Sequence, residues 1–260
     1  MKYKIKINQR DVEILKFLHT SKVLSRKLIS EYFFNGSIRA SNKRILKLRR
    51  EGLIAKINRI SEVDSSSLYQ LTPRGFKYVQ KDIENEVGSK LLSPRYKSDS
   101  IDHDLGLVRI SRHLNEGGFT QRVWLENQIQ SYPLFEESDY IDFKMKRFDM
   151  VIESLNSNGD ESITPLEFER SVKDPYRYVD RLSEIYNDEY IPLVLTVCSN
   201  KTVLKAIKRS EAQIINKPED KLYYILLDHL LESAEKIIFE SCSGDKIEIF
   251  SQKKVVPCLV

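Results

Sequence analysis

Two consecutive apolar segments carry acids where a soluble strand does not ordinarily keep them. They are Arg147-Phe148-Asp149-Met150-Val151-Ile152 and Pro165-Leu166-Glu167-Phe168-Glu169-Arg170. On a strand, side chains alternate between faces. Asp149 then lies opposite the large apolar Phe148, Met150 and Ile152, and Glu167 shares a face with Glu169 while Leu166 shares the other with Phe168. If the strands pair, three carboxylates converge on one small patch. Such a cluster repels itself unless a cation sits in it, and a divalent metal is its usual occupant. Asp149, Glu167 and Glu169 are the candidate metal ligands.

The elements around these acids predict a crossover α/β architecture. Asp102-His103-Asp104 opens an amphipathic helix through Leu105, Leu107, Val108, Ile110 and Leu114, ending at Gly117-Gly118, and Val123-Trp124-Leu125 reads as a strand. A loop around Tyr132–Asp142 leads to the acid strands, which Asn156-Ser157-Asn158-Gly159-Asp160 separates as a turn. A helix follows over 175–187, with Tyr178, Val179, Leu182, Ile185 and Tyr186 on its apolar side. Ile191–Cys198 is a continuous apolar strand of the type buried on both faces. A helix over 202–214, a strand over 222–227 and a hairpin from Ile237–Phe239 and Ile247–Phe250 complete the chain.

The charge points to a different chemistry at the other end. Residues 1–60 hold 16 Lys/Arg against 4 Asp/Glu, a local +12, so with +4 overall the rest of the chain carries −8. A basic block on an acidic body is a polyanion-binding module joined to something else. Within it, Val12, Ile14, Leu15 and Leu18 mark one helix, and Ser25 caps a second with Leu28, Ile29 and Tyr32 inward. Phe33-Phe34-Asn35-Gly36 reads as a turn. A third helix runs from Ile38 or Ser41 to Arg50, ended by Glu51-Gly52, with Ile38, Ile45 and Leu48 as its buried stripe. Its other faces carry Arg39, Asn42, Lys43, Arg44, Lys47 and Arg50. Two strands, 53–57 and 67–71, flank the polar loop Asn58–Ser66 with Arg59 in it, and Thr72-Pro73-Arg74-Gly75 starts a last helix with Phe76 and Val79 inward.

Three helices, a two-stranded ribbon and another helix resemble a winged helix-turn-helix domain. The phrases that carry the likeness are Arg44-x-x-x-Leu48-x-x-x-Gly52-Leu53-Ile54 and Tyr69-x-Leu71-Thr72-Pro73-x-Gly75. The resemblance implies that the third helix enters the major groove of double-stranded DNA and that the loop holding Arg59 touches the backbone or minor groove. Lys and Arg would neutralise phosphates, and Arg39 and Asn42 would read base edges. A winged helix used only for protein contacts is the competing reading.

The second half, with its helix, an Asp on one strand, Glu-x-Glu on the next, then helix–strand–helix, resembles the PD-(D/E)xK nuclease superfamily. Joined to a winged helix, it is similar to the replication-relaxation group of plasmid and mobile-element proteins, on Glu167-Phe168-Glu169-Arg170-Ser171, Arg177-Tyr178 and Tyr186. The resemblance implies that Asp149 bridges metal, that Glu167 and the Phe168 carbonyl are further ligands, and that the position usually held by a catalytic Lys is Glu169. Lys173 lies beyond the strand and is the lysine placed to fold back. The motif aspartate usually follows Pro, whereas here it follows Phe148. Asp104 or Glu116 would be the acid from the first helix, and His103 would cap that helix or face the site. An active site of this kind would hydrolyse phosphodiesters with Mg2+ or Mn2+, with Arg177 and Lys173 on the phosphate. The alternative pairs the acids with Arg147, Arg170, Arg177 and Arg181 in a nuclease fold that no longer cuts.

The expected organisation is a winged helix domain over 1–82, a linker over 83–100 that includes Gly88, Ser89, Ser93, Pro94 and Ser98, and a nuclease-like domain over 101–260. The expected fold class is α/β (α+β overall), with a mixed-sheet, restriction-endonuclease-like second domain. Three functions remain open. One is a DNA-binding protein of a plasmid or mobile element, controlling replication, transfer or transcription, with a non-catalytic nuclease-like domain. The second is a metal-dependent DNA endonuclease. The third is a transcription regulator with a ligand-sensing domain, marked by an apolar pocket without clustered acids. Protein partners from a mobile-element machinery are expected, as is a homodimer, with the apolar stretch Leu222–Phe239 as its surface. No run of about 18 apolar residues exists, and the basic start Met1–Lys6 lacks an apolar signal core, so a cytoplasmic protein with no membrane partner is expected. Cys198, Cys242 and Cys258 lack metal-ligand spacing and suit a reducing compartment.

Overall fold

Asn8 and Asp11 set the first helix in register. In this computed structural model the Asn8 side chain accepts from the Asp11 amide at 3.0 Å, and the Asn8 amide donates back to Asp11 at 2.8 Å. This reciprocal cap starts α1 (Gln9–Ser21), which buries Ile14, Leu15 and Leu18. The structure describes residues 6–92, 97–137, 140–155, 161–215, 217 and 219–252. Met1–Ile5 of the basic start, Ser93 and Pro94, the turn Asn156–Asp160, and Cys258 lie outside the described residues.

The chain divides into two compact units. The first comprises the described residues of Met1–Val108 and Leu125–Ile141, the second those of Arg109–Trp124 and Asp142–Val260. In the first unit, β1 (Leu24–Ser25) leads into α2 (Arg26–Phe34), capped by the Ser25 hydroxyl accepting from the Leu28 amide at 3.1 Å. Phe33 and Phe34, expected in a turn, form the end of α2, and the turn begins at Asn35 with φ 49°. The third helix, α3 (Ile38–Arg50), ends at Gly52, whose φ of 67° lets the Leu53 amide reach back to the Leu48 carbonyl at 3.0 Å.

β2 (Ile54–Ile57) and β3 (Leu68–Leu71) form an antiparallel ribbon with Ile54 opposite Leu71, and β3 also pairs with β1 in the order β1-β3-β2. Thr72 then caps α4 (Pro73–Val87), accepting from the Gly75 amide at 2.9 Å. Gly75 is required here, because a Cβ would sit 2.0 Å from the Leu53 carbonyl oxygen. α4 runs into the stretch read as linker. α5 (Ile101–Gly117) crosses from one unit to the other, and α6 (Glu126–Ser131) with a 3-10 turn at Pro133–Glu136 completes the first unit. The expected stripe of α3 is corrected at one position. Ile38 is 43% exposed and Ser41 is buried in its place, its hydroxyl satisfied by the Ile38 carbonyl at 3.0 Å.

The second unit is built on a seven-stranded mixed sheet. Its strands are β4 (Arg122–Leu125), β5 (Met150–Leu155), β6 (Glu161–Glu169), β7 (Val194–Cys198), β8 (Leu222–Leu226), β9 (Lys236–Glu240) and β10 (Lys246–Phe250), in the order β10-β9-β8-β7-β6-β5-β4. β5 and β6 run antiparallel, β6–β7–β8 parallel, and the β8–β9–β10 edge antiparallel. Short α7 (Ile141–Met145) occupies what the sequence suggests is loop. α8 (Pro175–Tyr186) carries the chain from β6 to β7, α9 (Lys201–Glu211) from β7 to β8, and α10 (Leu227–Glu232) follows β8. This is the mixed-sheet α/β class predicted, with β7 buried along its whole length. Leu222–Phe239, expected as a dimer surface, is β8, α10 and β9, and buries Leu222, Tyr224, Ile225, Leu230, Ile237 and Phe239 in the unit's own core.

Candidate functional site

Two sites emerge, one in each unit. On α3, Arg39, Asn42, Lys43, Leu46 and Arg50 are exposed, Lys47 half-buried, and Ser41, Ile45 and Leu48 buried. At 3.6 residues per turn, Arg39, Asn42, Lys43, Leu46, Lys47 and Arg50 fall within an arc of about 140°. One face of the helix is therefore cationic, with Asn42 at one flank.

Arg44 is set apart from these cations. Its guanidinium bonds the carboxylate of Asp11, itself fully buried, and donates to the Lys6 carbonyl at 2.9 Å. The hydrogen bond to Asp11 raises the Arg44 pKa further. Arg44 thus ties α3 to the cap of α1. Arg59 stands exposed in the β2–β3 loop beside Ile60, which is 92% exposed. Ser61 anchors that loop: its hydroxyl bonds Asp102 and accepts from the Val63 and Asp64 amides at 3.0 and 3.1 Å. Leu46 and Ile60, apolar groups amid cations, are features that charge pattern alone did not mark.

In the second unit, Arg147 adopts φ 55° and closes α7, and the Phe148 amide returns to the Phe143 carbonyl at 3.2 Å. That turn delivers Asp149 to the start of β5. Met150 pairs with Leu166, so Asp149 stands one step further along, opposite Glu167. Asp149 accepts from the Phe168 amide at 2.8 Å. The period of two places Glu167 and Glu169 on one face, while Leu166 and Phe168 are buried on the other.

Each glutamate has its own cation. Arg181 of α8 bonds Glu167 and lies over the Phe148 ring, 5.0 Å from its centroid. Lys173 folds back so that its Nζ donates to Glu169 at 2.6 Å. The Tyr178 hydroxyl donates to the Ser171 carbonyl at 3.2 Å and accepts from the Lys173 amide at 3.3 Å. Burial, with Asp149 adding repulsion, pushes Glu167 up to about 8 despite Arg181. Burial and then Glu169 push Tyr178 up to about 12, and Cys198, opposite Glu169 in the sheet, also to about 12.

Carboxylate oxygens are the donors Mg2+ and Mn2+ prefer. Yet among the described residues no group of three or more His, Cys, Asp or Glu side chains is arranged to hold a metal ion. Arg181 and Lys173 instead occupy Glu167 and Glu169. Of the acids proposed from the first helix, Glu116 is engaged by Arg112 at 2.9 Å, and Asp104 is buried beside Lys22 at 3.9 Å, with His103 3.7 Å away. Arg177 is exposed. A pocket of about 420 Å3 lies among Lys217, Glu219, Asp220, Tyr223, Ser243 and Asp245. Its lining is polar, unlike the apolar pocket a ligand-sensing domain would show.

No family of known proteins matches the chain, and no curated protein does. Among solved structures it is similar to a pre-specific restriction endonuclease BsaWI–DNA complex, with 14% identity over 84% of this chain and 92% of that one, at a TM-score of 0.26. The overlap is low, and the α/β fold class stands on strand order and pairing. No helix among the described residues is long and apolar enough to cross a membrane.

Proposed function

We propose that the protein binds double-stranded DNA through a winged helix formed by α1–α4, with α3 in the major groove and the Arg59 loop as the wing. The observation that carries this reading is the face of α3, which gathers Arg39, Lys43, Lys47 and Arg50 while Arg44 is turned into the fold. Cations held out on a rigid helix release counterions from phosphates when they dock. Asn42 on the same face offers the paired donor and acceptor that adenine takes, and Leu46 an apolar contact for a thymine methyl group. The second unit is then a nuclease-like domain whose two glutamates are held by Arg181 and Lys173. A control role in replication, transfer or transcription of a plasmid or mobile element fits that pairing of domains.

Lys43→Ala combined with Lys47→Ala is expected to lower affinity for a mixed-sequence duplex and to reduce the slope of log affinity against log salt by about 2, two phosphate contacts at about 0.9 each. Fluorescence anisotropy measures both. Unchanged affinity would take α3 out of the interface.

A second reading, a Mg2+- or Mn2+-dependent endonuclease, draws on the crowding of Asp149 against Glu167 that raises Glu167. Supercoiled plasmid incubated with the protein and either metal separates the two. Glutamates held by Arg181 and Lys173 predict no nicking. Nicking that disappears in Asp149→Ala and Glu167→Ala would establish the nuclease instead.

A further inference from the structure

Between the end of β6 and the first turn of α8, seven consecutive residues, Ser171-Val172-Lys173-Asp174-Pro175-Tyr176-Arg177, are all exposed. Among them Tyr176 is 81% exposed and Val172 52%. The segment is nonetheless pinned. Tyr178 holds the Ser171 carbonyl and the Lys173 amide, Asp174 accepts from the Tyr176 amide at 2.9 Å, and Ser199 donates to the Arg170 carbonyl at 2.6 Å. A pinned segment that keeps an aromatic ring in water forgoes the burial such a ring ordinarily contributes. The unit's own core does not use Tyr176, which leaves its ring open to a ligand.

The surroundings choose the ligand. Arg177 is adjacent and exposed, while Asp174 is committed to capping α8 and Lys173 to Glu169. A ring beside a cation suits a partner with flat faces and a phosphate backbone. A paired duplex offers base edges and phosphates but keeps its base faces stacked inside, whereas an unpaired strand offers both. The other strongly exposed tyrosine of this unit makes the contrast. Tyr190 is 80% exposed but its neighbour is the exposed Glu189, where Tyr176 has Arg177.

We propose that Ser171–Arg177 is a binding site for unpaired nucleic acid, in which a base stacks on Tyr176 and the adjoining phosphate meets Arg177. This goes beyond the α3 reading, which concerns duplex DNA, and the two fail separately. A strand seated here runs beside Glu169 and Lys173, so the second unit engages opened or single-stranded DNA next to its carboxylate face.

Anisotropy of a labelled oligothymidylate with the full-length protein tests it. Tyr176→Ala is expected to weaken binding about tenfold, as the loss of one stacked base does. Tyr176→Phe, which keeps the ring and drops the hydroxyl, restores it, and Tyr190→Ala leaves it unchanged. Arg177→Ala lowers the salt slope by about 0.7. Strand binding persists in the Lys43→Ala/Lys47→Ala protein, and duplex binding persists in Tyr176→Ala. The proposal is overturned if the wild-type protein does not bind the strand, if Tyr176→Ala binds it equally well, or if Tyr176→Phe falls as far as Tyr176→Ala.

Discussion

Asp11→Ala is expected to cost the N-terminal unit about 3 kcal/mol, near the figure for leaving one partner of a buried ion pair alone. The carboxylate is fully buried and serves two elements at once. It closes the cap of α1 by accepting from the Asn8 amide at 2.8 Å, and it holds the Arg44 guanidinium of α3. Removing it strands a largely buried cation and opens the cap. Arg44→Ala leaves the cap intact but strands the fully buried Asp11 carboxylate, so it is expected to cost about as much. Urea unfolding of the two single variants and the double variant measures the coupling, expected at about 2 kcal/mol for groups in direct contact. Additive losses would mean that the pair contributes nothing beyond its separate contacts.

Glu167→Gln is expected to stabilise the second unit at alkaline pH. The Glu167 carboxyl, ordinarily near 4.5, is pushed up to about 8 by burial and by Asp149. Below 4.5 the folded and unfolded chains both hold the proton, and folding loses nothing at this group. Between 4.5 and 8 the unfolded chain releases the proton while the folded chain keeps it, so stability falls as pH rises. Above 8 the full penalty stands, on the order of 5 kcal/mol for a shift of this size. Gln keeps a hydrogen-bond acceptor for Arg181 and does not titrate. In chelator-containing buffer, the urea midpoints of wild type and Glu167→Gln should therefore diverge steadily from about pH 5 to about pH 9, with the variant higher at the alkaline end. Parallel curves would show that Glu167 ionises freely.

Local chemistry in this chain is legible wherever a single residue type determines backbone geometry. Ser25 and Thr72 cap the helices expected of them, and Thr72-Pro73-x-Gly75 marks a close approach that only glycine permits. The strand period correctly groups Glu167 with Glu169, and the β9–β10 hairpin forms from the two apolar segments expected to pair. What periodicity does not reach falls into two kinds. Helices α6, α7 and α10 span six, five and six residues, too short for a 3.6-residue repeat to establish itself. Long-range pairings are the other kind. Arg44 counts as one more cation on a basic helix until the fold brings it to Asp11, 33 residues away. Ser41 displaces Ile38 from the buried stripe because its hydroxyl finds a carbonyl within its own helix, something hydropathy does not record. The acid cluster shows both sides. Its face is visible in the alternation, but the bond from Arg181, 14 residues on from Glu167, depends on where α8 lies.

That α3 is a duplex-DNA-binding face is tested most directly by titrating the unmodified protein with a mixed-sequence duplex from roughly 50 to 200 mM salt. Lys43, Lys47, Arg50 and Arg59, at about 0.9 each, together predict a slope of about −4 in log affinity against log salt, falling to about −2 in the Lys43→Ala/Lys47→Ala protein. A slope near zero, or one that the double variant leaves unchanged, would contradict it.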